Sequence, residues 1–192
     1  MHAEDLCAFF NFVIDSAKES RVPYDPERII VIGHSCSAHI IACILLDSSD
    51  PRIVPSPRLL DAVKAVVVTE GIYDLDKLLE TFPAYQEWFI EPAFGPPGEG
   101  GYQRFSAVEF PLRQRDGENA DASPKTRWLL LHSKGDTLVD TPQTTAMYAH
   151  LKRLYPQNGV VELNTDDLED EHDALLATDG YLEIVKKFVE GI

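Results

Sequence analysis

Basic residues are scarce in this sequence of 192 residues, which has 17 Lys and Arg against 32 Asp and Glu and a formal net charge of -15. A phosphate backbone or an anionic membrane surface repels a chain with that balance, so binding to nucleic acid or to a membrane is not expected. The sequence also lacks an apolar run approaching the roughly 18 residues that a membrane-spanning helix needs. Its first residues are acidic and lack the basic segment of a secretory leader. These absences predict a cytoplasmic protein.

Cysteines are few as well. Cys7, Cys36 and Cys43 cannot all pair, and two of them lie in or just after a strand–helix junction in apolar surroundings. We interpret all three as reduced thiols in a reducing compartment. Apolar residues make up 44% and charged residues 26%, an ordinary globular composition that argues against a disordered chain.

The apolar pattern alternates between buried strands and helices. Short apolar runs without polar alternation are typical of strands buried on both faces of a parallel sheet, and the sequence has four, at 28–33, 62–69, 128–132 and 160–163. Helical spacing of apolar residues predicts helices over 3–20, 37–46, 142–154 and 181–189, with a further helix capped by Asp74. The alternation predicts the α/β class, with a mostly parallel sheet and helices on both faces.

Proline and glycine are concentrated in residues 91–125, which end in a polar run. Because the alternation of strands and helices resumes afterwards, we interpret this stretch as a long surface excursion within one domain. Residues 47–57 contain three further prolines and are predicted as a loop.

A turn of small residues joins the first predicted strand to the helix after it. We call residues 33–37, Gly33-His34-Ser35-Cys36-Ser37, the elbow turn. A Gly-x-Ser-x-Gly turn at such a junction holds its serine in a strained, exposed position, so Ser35 is the candidate nucleophile. Ser37 stands where the second glycine is usual, which is a mild departure because serine is also small. The backbone N–H of Cys36 is predicted to be an oxyanion donor.

Two more candidate residues follow later strands. A serine nucleophile needs a base, and the base needs an acid to orient it. Asp136 comes soon after the third strand and His172 follows the fourth, so both belong to the sheet edge where Ser35 sits. The order Ser, Asp, His along the chain is the one that α/β-hydrolases use. Asp140 is a rival acid, and a solvated surface histidine is the alternative interpretation of His172.

Aromatic residues cluster after the second predicted strand. We expect most of them to be ordinary packing residues. A smaller part of the group, with Tyr73 and Trp88 as candidates, is expected to contact a ring-bearing substrate.

Together these residues resemble the kynurenine formamidase (arylformamidase) branch of the α/β-hydrolases, particularly its fungal members. The resemblance runs from about Leu6 to the C-terminus, and its matching segments are the elbow turn with Ala38-His39, Glu70-Gly71-Ile72-Tyr73-Asp74-Leu75, 132–136 and His172-Asp173. It implies a cytosolic serine hydrolase, without a metal or other cofactor, that removes the formyl group of N-formyl-L-kynurenine in tryptophan degradation. By motif position it makes Ser35 the nucleophile, Asp136 the acid and His172 the base.

One motif of that family has no counterpart here. Family members carry His-Gly-Gly before the elbow, where its amides complete the oxyanion hole, and this sequence contains no His-Gly-Gly. We therefore interpret residues 1–192 as a single α/β-hydrolase domain that is the C-terminal portion of the fold, truncated on its N-terminal side. The first strand should then be a sheet edge with unpaired backbone groups. A missing oxyanion donor of this kind typically costs about 10²–10³ in rate.

Three functions stay open at this stage. The first is hydrolysis of N-formyl-L-kynurenine to L-kynurenine and formate. The second is a short-chain carboxylesterase, because formamides and esters pass through similar tetrahedral oxyanions. The third is a weak or inactive hydrolase fragment that acts through protein–protein contact, pairing its sheet edge with another chain, for instance in a homodimer. For the first two, the expected partner is a small aryl formamide or ester.

Overall fold

A computed structural model describes residues 2–17, 21–113, 126–157 and 159–192. Its centre is a sheet of four parallel strands in the order β1-β2-β3-β4. The strands are β1 Ile29–His34, β2 Val63–Thr69, β3 Arg127–Leu131 and β4 Val161–Asn164. The prediction of a parallel sheet is confirmed, and each strand lies within one or two residues of its predicted position.

Helices connect and cover the strands. They are α1 His2–Ser16, α2 Cys36–Leu45, α3 Pro57–Ala62, α4 Leu75–Thr81, α5 Glu91–Phe94, α6 Thr141–Leu154 and α7 Asp179–Glu190. The Asp74 side chain accepts a hydrogen bond from the backbone N–H of Lys77, so the predicted cap of α4 is confirmed. None of the helices in the described ranges is both long and apolar enough to span a bilayer.

The sheet has one apolar core on each face because neighbouring side chains on a strand point to opposite sides. On one face, Val66 and Val68 of β2 pack in a core with residues of α1, α2 and α6. On the other, Ala65 and Val67 pack in a core with Tyr181 and Phe188 of α7. Helices therefore cover both faces, as predicted.

Strand β1 lies at an edge of the sheet and pairs only with β2 within the described residues. Its Ile32 side chain is 53% exposed, although it belongs to an otherwise apolar strand. The expected sheet edge at the first strand is confirmed.

The connecting segments differ most from the sequence-based expectation. Helix α3 lies between the predicted loop and the predicted second strand, where no helix was expected. Its signal is Ser56, whose side chain accepts a hydrogen bond from Leu59 N–H ahead of Pro57. In the predicted surface excursion, Tyr102, Ala107 and Phe110 are buried, so residues 91–113 also contribute to the core. The rest of that excursion, 114–125, lies outside the described residues.

Candidate active site

The elbow turn places Ser35 between β1 and α2, as the sequence pattern predicts. Ser35 adopts φ 55° and ψ -125°, a backbone conformation that is strained for a residue with a side chain. Its N–H donates to the Thr69 carbonyl at 2.9 Å, which ties the turn to the end of β2. A side chain at Gly33 would collide with Ile41 and would come within 3.2 Å of the Ala38 nitrogen. Glycine at this position therefore lets α2 approach β1 closely.

Serine at position 37 fits the turn in place of glycine. Its hydroxyl donates to the His34 carbonyl at 2.8 Å, so the extra polar group has a partner inside the turn. The N–H of Cys36 lies in the first turn of α2, where helix N–H groups have no acceptor within the helix. Among the described residues this N–H has no hydrogen-bond acceptor. It is thus available to a ligand oxygen beside Ser35.

The two predicted partners of the nucleophile, Asp136 and His172, meet directly. His172 Nδ1 lies 2.8 Å from Asp136 Oδ2, and the two side chains are 7% and 0% exposed. The other carboxylate oxygen, Oδ1, accepts the N–H groups of Leu138 and Val139 at 2.8 and 3.0 Å, which fixes its orientation. The rival acid Asp140 instead accepts a hydrogen bond from Thr81.

The position of the His172 proton follows from these contacts. Nδ1 faces only carboxylate oxygens at close range, so in the neutral ring it carries the proton and donates. Nε2 is then the basic nitrogen. This is the tautomer that a general base acting on a serine hydroxyl requires.

Ser35 itself is not hydrogen-bonded to His172. Within the described chain its hydroxyl has no hydrogen-bond partner, and it is half-buried. Its neighbour His34 does contact the base: the ring centroids of His34 and His172 are 4.4 Å apart, and His34 Nε2 lies 2.9 Å from the His172 carbonyl. The elbow turn and the loop of the base are therefore adjacent, without the final bond between nucleophile and base.

Sequence reasoning missed Glu70, which lies at the centre of the site. It follows β2, is fully buried and has φ 51°. One carboxylate oxygen, Oε2, lies 3.2 Å from both His34 Nε2 and His172 Nδ1, and the other accepts the Ser133 N–H at 3.2 Å. The only signal in the sequence was an acid directly after a buried strand, and that pattern does not show that the side chain turns inward.

Glu70 also changes the acid–base behaviour of His34. Burial of the ring lowers the pKa of His34, but the hydrogen bond and the negative charge of Glu70, together with the His172 carbonyl and the charge of Asp173, raise it more, so that the net pKa is above its ordinary value. By contrast, burial lowers the pKa of His132 although Asp136 and Glu70 oppose the shift. His132 is thus neutral beneath the site at neutral pH.

Two groups of side chains have donor atoms close enough together to hold a metal ion, Glu70–Asp136–His172 and His34–His172–Asp173. In the first group the His172 N–H already donates to Asp136, and the Glu70 carboxylate lies 3.2 Å from the same nitrogen. Hydrolysis without a metal or cofactor stays our prediction.

The two aromatic residues singled out as substrate contacts have opposite environments. Tyr73 is fully buried in the core, and its hydroxyl has no hydrogen-bond partner among the described residues. Trp88 is 73% exposed. In this conformation Tyr73 offers no surface to a ligand. Trp88 is the remaining candidate for the expected contact with a substrate ring, which stays a prediction.

A further buried histidine, His39, leads to a prediction about stability. It lies on α2, and burial lowers its pKa to about 4, against a weaker opposing effect of the hydrogen bond to the Ile72 carbonyl. The unfolded chain therefore binds a proton more readily than the folded chain between about pH 6.5 and pH 4. The contribution of neutral His39 to stability is complete above pH 6.5 and is lost as the pH falls through this range.

We expect a His39→Asn variant to lose less stability than the wild type between pH 7.5 and pH 4.5, by about 2–3 kcal/mol. Asparagine keeps a side-chain N–H near the Ile72 carbonyl and does not titrate. Urea unfolding at both pH values measures the difference, with the exposed His2→Asn as the matched control. An equal acid loss in His39→Asn and wild type would contradict the prediction.

Comparison with known proteins was made for sequence and for structure. No family model matches the chain. It is 25% identical to the esterase LipQ of Mycobacterium tuberculosis over 154 residues, covering 78% of this chain and 33% of that protein. It is 28% identical to a kynurenine formamidase of Meyerozyma guilliermondii over 148 residues, covering 76% of this chain and 51% of that protein. The chain thus matches about a third to a half of the length of these curated relatives.

Solved structures of other proteins are similar to this chain in fold. The esterase Est2 of Thermogutta terrifontis superposes with a TM-score of 0.61 and 17% identity, over 98% of this chain and 64% of that one. An acylaminoacyl peptidase of Pyrococcus horikoshii superposes with a TM-score of 0.60 and 19% identity, over 92% of this chain and 25% of that one. With the parallel sheet and the helices on both faces, this likeness shows that the chain has an α/β-hydrolase fold.

Proposed function

We propose that the chain is a serine hydrolase in which Ser35 is the nucleophile, His172 the base and Asp136 the acid. The observation that carries the proposal is the 2.8 Å contact between His172 and Asp136 at the sheet edge where the strained Ser35 turn also lies. The unmade bond from Ser35 to His172 is compatible with it, because such bonds are often long without substrate and tighten in the substrate complex.

The chemistry follows from the positions of these groups. His172 Nε2 takes the Ser35 proton while Oγ attacks the carbonyl carbon, and the oxyanion accepts the Cys36 N–H. The tetrahedral intermediate collapses when the protonated His172 gives its proton to the leaving nitrogen or oxygen. Water, deprotonated by His172, then attacks the acyl group on Ser35; the bond to Oγ breaks, His172 returns the proton to Oγ, and the acid is released.

For the substrate we propose N-formyl-L-kynurenine, with L-kynurenine and formate as products. Support comes from the resemblance of the Glu70–Leu75 segment and from the similarity to the Meyerozyma guilliermondii kynurenine formamidase. The exposed aromatic side chain of Trp88, which follows the same segment, offers apolar surface. We propose the cytoplasm as the location of this reaction.

A short-chain carboxylesterase is the second candidate, favoured by the similarity to esterase LipQ. The geometry of Ser35, Asp136 and His172 serves both reactions, so turnover has to separate them. Purified protein should be assayed in parallel with N-formyl-L-kynurenine and with 4-nitrophenyl acetate. A kcat/KM for the formamide above that for the ester supports the formamidase, and turnover of the ester alone rejects it.

The exposed β1 edge favours a third candidate, a fragment that acts by pairing its sheet with another chain. Ile32 at this edge is 53% exposed, and edge strands are templates for strand addition. A fluorophosphonate probe separates this candidate from the other two, because it labels an activated serine. Labelling of Ser35 in folded protein supports the hydrolase; an unlabelled, folded and self-associating protein supports the fragment.

A further inference from the structure

The side chain of His172 is held from two sides. Asp136 reaches Nδ1 from the loop after β3 at 2.8 Å, and Glu70 reaches the same nitrogen from the end of β2 at 3.2 Å. Both carboxylates are fully buried. The Nδ1–H donates to Asp136, and the Glu70 carboxylate lies beside the same nitrogen as an ion-pair contact, so that the ring lies between the two acids.

The remaining contacts of Glu70 hold its carboxylate in place beside His172. Its second oxygen accepts the Ser133 N–H, and its backbone N–H donates to the Leu131 carbonyl at 2.9 Å. A buried carboxylate is costly unless hydrogen bonds and nearby positive charge compensate it. Here two N–H groups, from Ser133 and His34, donate to Glu70, and His172 Nδ1 lies 3.2 Å from it. The strained φ of 51° is a further cost that the chain bears at this position.

His34 connects this acid to the backbone of the base. Its Nε2 faces two oxygen acceptors, the Glu70 carboxylate at 3.2 Å and the His172 carbonyl at 2.9 Å, so Nε2 carries a proton and donates to both. Glu70 thus acts on His172 twice, through Nδ1 directly and through His34 at the main chain. The second contact fixes the loop, and the first fixes the ring.

We propose that Glu70 is a positioning residue. Together with Asp136 it orients His172, so that two acids, which follow different strands, hold the base in place. This inference rests on the proposed function, in which His172 is the base. The titratable side chains that surround the pair are His34, His132, Tyr85, Asp140 and Asp173.

The first test removes the charge of Glu70 and keeps its shape. In Glu70→Gln a neutral amide replaces the carboxylate beside Nδ1, so kcat should fall by about tenfold with KM little changed, because only the orientation of the base is disturbed. The Nδ1–H resonance of His172 in ¹H–¹⁵N spectra should shift without any turnover. Glu162→Gln, which loses an ion pair with Arg127 on the neighbouring strands, is the matched control and should show neither effect. An unchanged kcat and an unchanged Nδ1–H resonance in folded Glu70→Gln would overturn the proposal.

The second test leaves Glu70 intact. Where one acid orients the histidine of a serine protease, changing it to asparagine costs about 10⁴ in kcat because the wrong tautomer forms. With the Glu70 carboxylate still 3.2 Å from Nδ1 and able to accept its N–H once Asp136 no longer does, Asp136→Asn should keep the Nδ1–H tautomer in ¹H–¹⁵N spectra and lose less than about 10²-fold in activity. The double variant Glu70→Gln/Asp136→Asn should lose both the Nδ1–H tautomer and the remaining activity.

A change of tautomer in Asp136→Asn alone would contradict a positioning role for Glu70. This measurement does not depend on the folding of Glu70→Gln. It also separates the two hypotheses: equal turnover by wild type and Ser35→Ala rejects the proposed function, whereas the spectra report on Glu70 in active and inactive protein alike.

Discussion

Replacing Ser35 with alanine is expected to lower kcat/KM for 4-nitrophenyl acetate by at least about 10³-fold. Without the hydroxyl no acyl-enzyme forms, and His172 has no nucleophile from which to remove a proton. The residual rate should equal that of a general base acting on water. Initial rates with purified wild-type and variant protein at saturating and limiting substrate measure the loss.

The control for this variant has to carry the same backbone strain. Ser49, with φ 58°, is an exposed serine in the loop after α2, so Ser49→Ala places alanine at a positive φ outside the site. We expect it to keep the wild-type rate, and both variants to unfold at the wild-type urea concentration. Equal rates for Ser35→Ala and wild type would reject Ser35 as the nucleophile.

The strands were predictable because the sheet is buried. In β2, Val66, Val67 and Val68 are all fully buried, since helices cover both faces, and such a strand shows no polar alternation in sequence. The meeting of Asp136 and His172 was predictable for a related reason. Parallel strands end at one edge, so the loops after β3 and β4 are neighbours wherever the sheet order follows the chain order.

Glu70 was harder to predict because its role depends on backbone direction. At φ 51° the chain turns at the end of β2, and the side chain points at two histidines instead of solvent. No periodicity in sequence reports a positive φ at a residue other than glycine. The buried residues Tyr102 and Phe110 escaped prediction similarly, because they lie in irregular segments whose packing has no repeat.

The contact between Asp136 and His172 depends on how closely their two loops pack. The Lys134 N–H donates to the Leu168 carbonyl at 2.9 Å, and the Ser133 hydroxyl donates to the Asp170 carbonyl at 2.6 Å. Gly135 follows these two residues and immediately precedes the acid. A Cβ there would lie 2.7 Å from the Asp170 carbonyl oxygen and even closer to that of Glu169.

We therefore expect Gly135→Ala to lower both activity and stability. The obstructing atoms belong to the backbone, so the methyl group can be accommodated only if the loops move apart. Overpacking of this kind costs about 1–3 kcal/mol in the free energy of unfolding. Displacement of the acid from the base by about 1 Å is worth about 10²-fold in kcat.

Urea unfolding and steady-state kinetics of Gly135→Ala measure the two losses. The matched control is Gly180→Ala in α7, where a Cβ would meet only a Leu168 methyl group at 3.8 Å, an ordinary contact distance. The same glycine-to-alanine change should there leave turnover unchanged, because α7 carries no group of the site. Wild-type stability and turnover in Gly135→Ala would show that the two loops tolerate separation, and that the 2.8 Å contact between His172 and Asp136 does not limit the reaction.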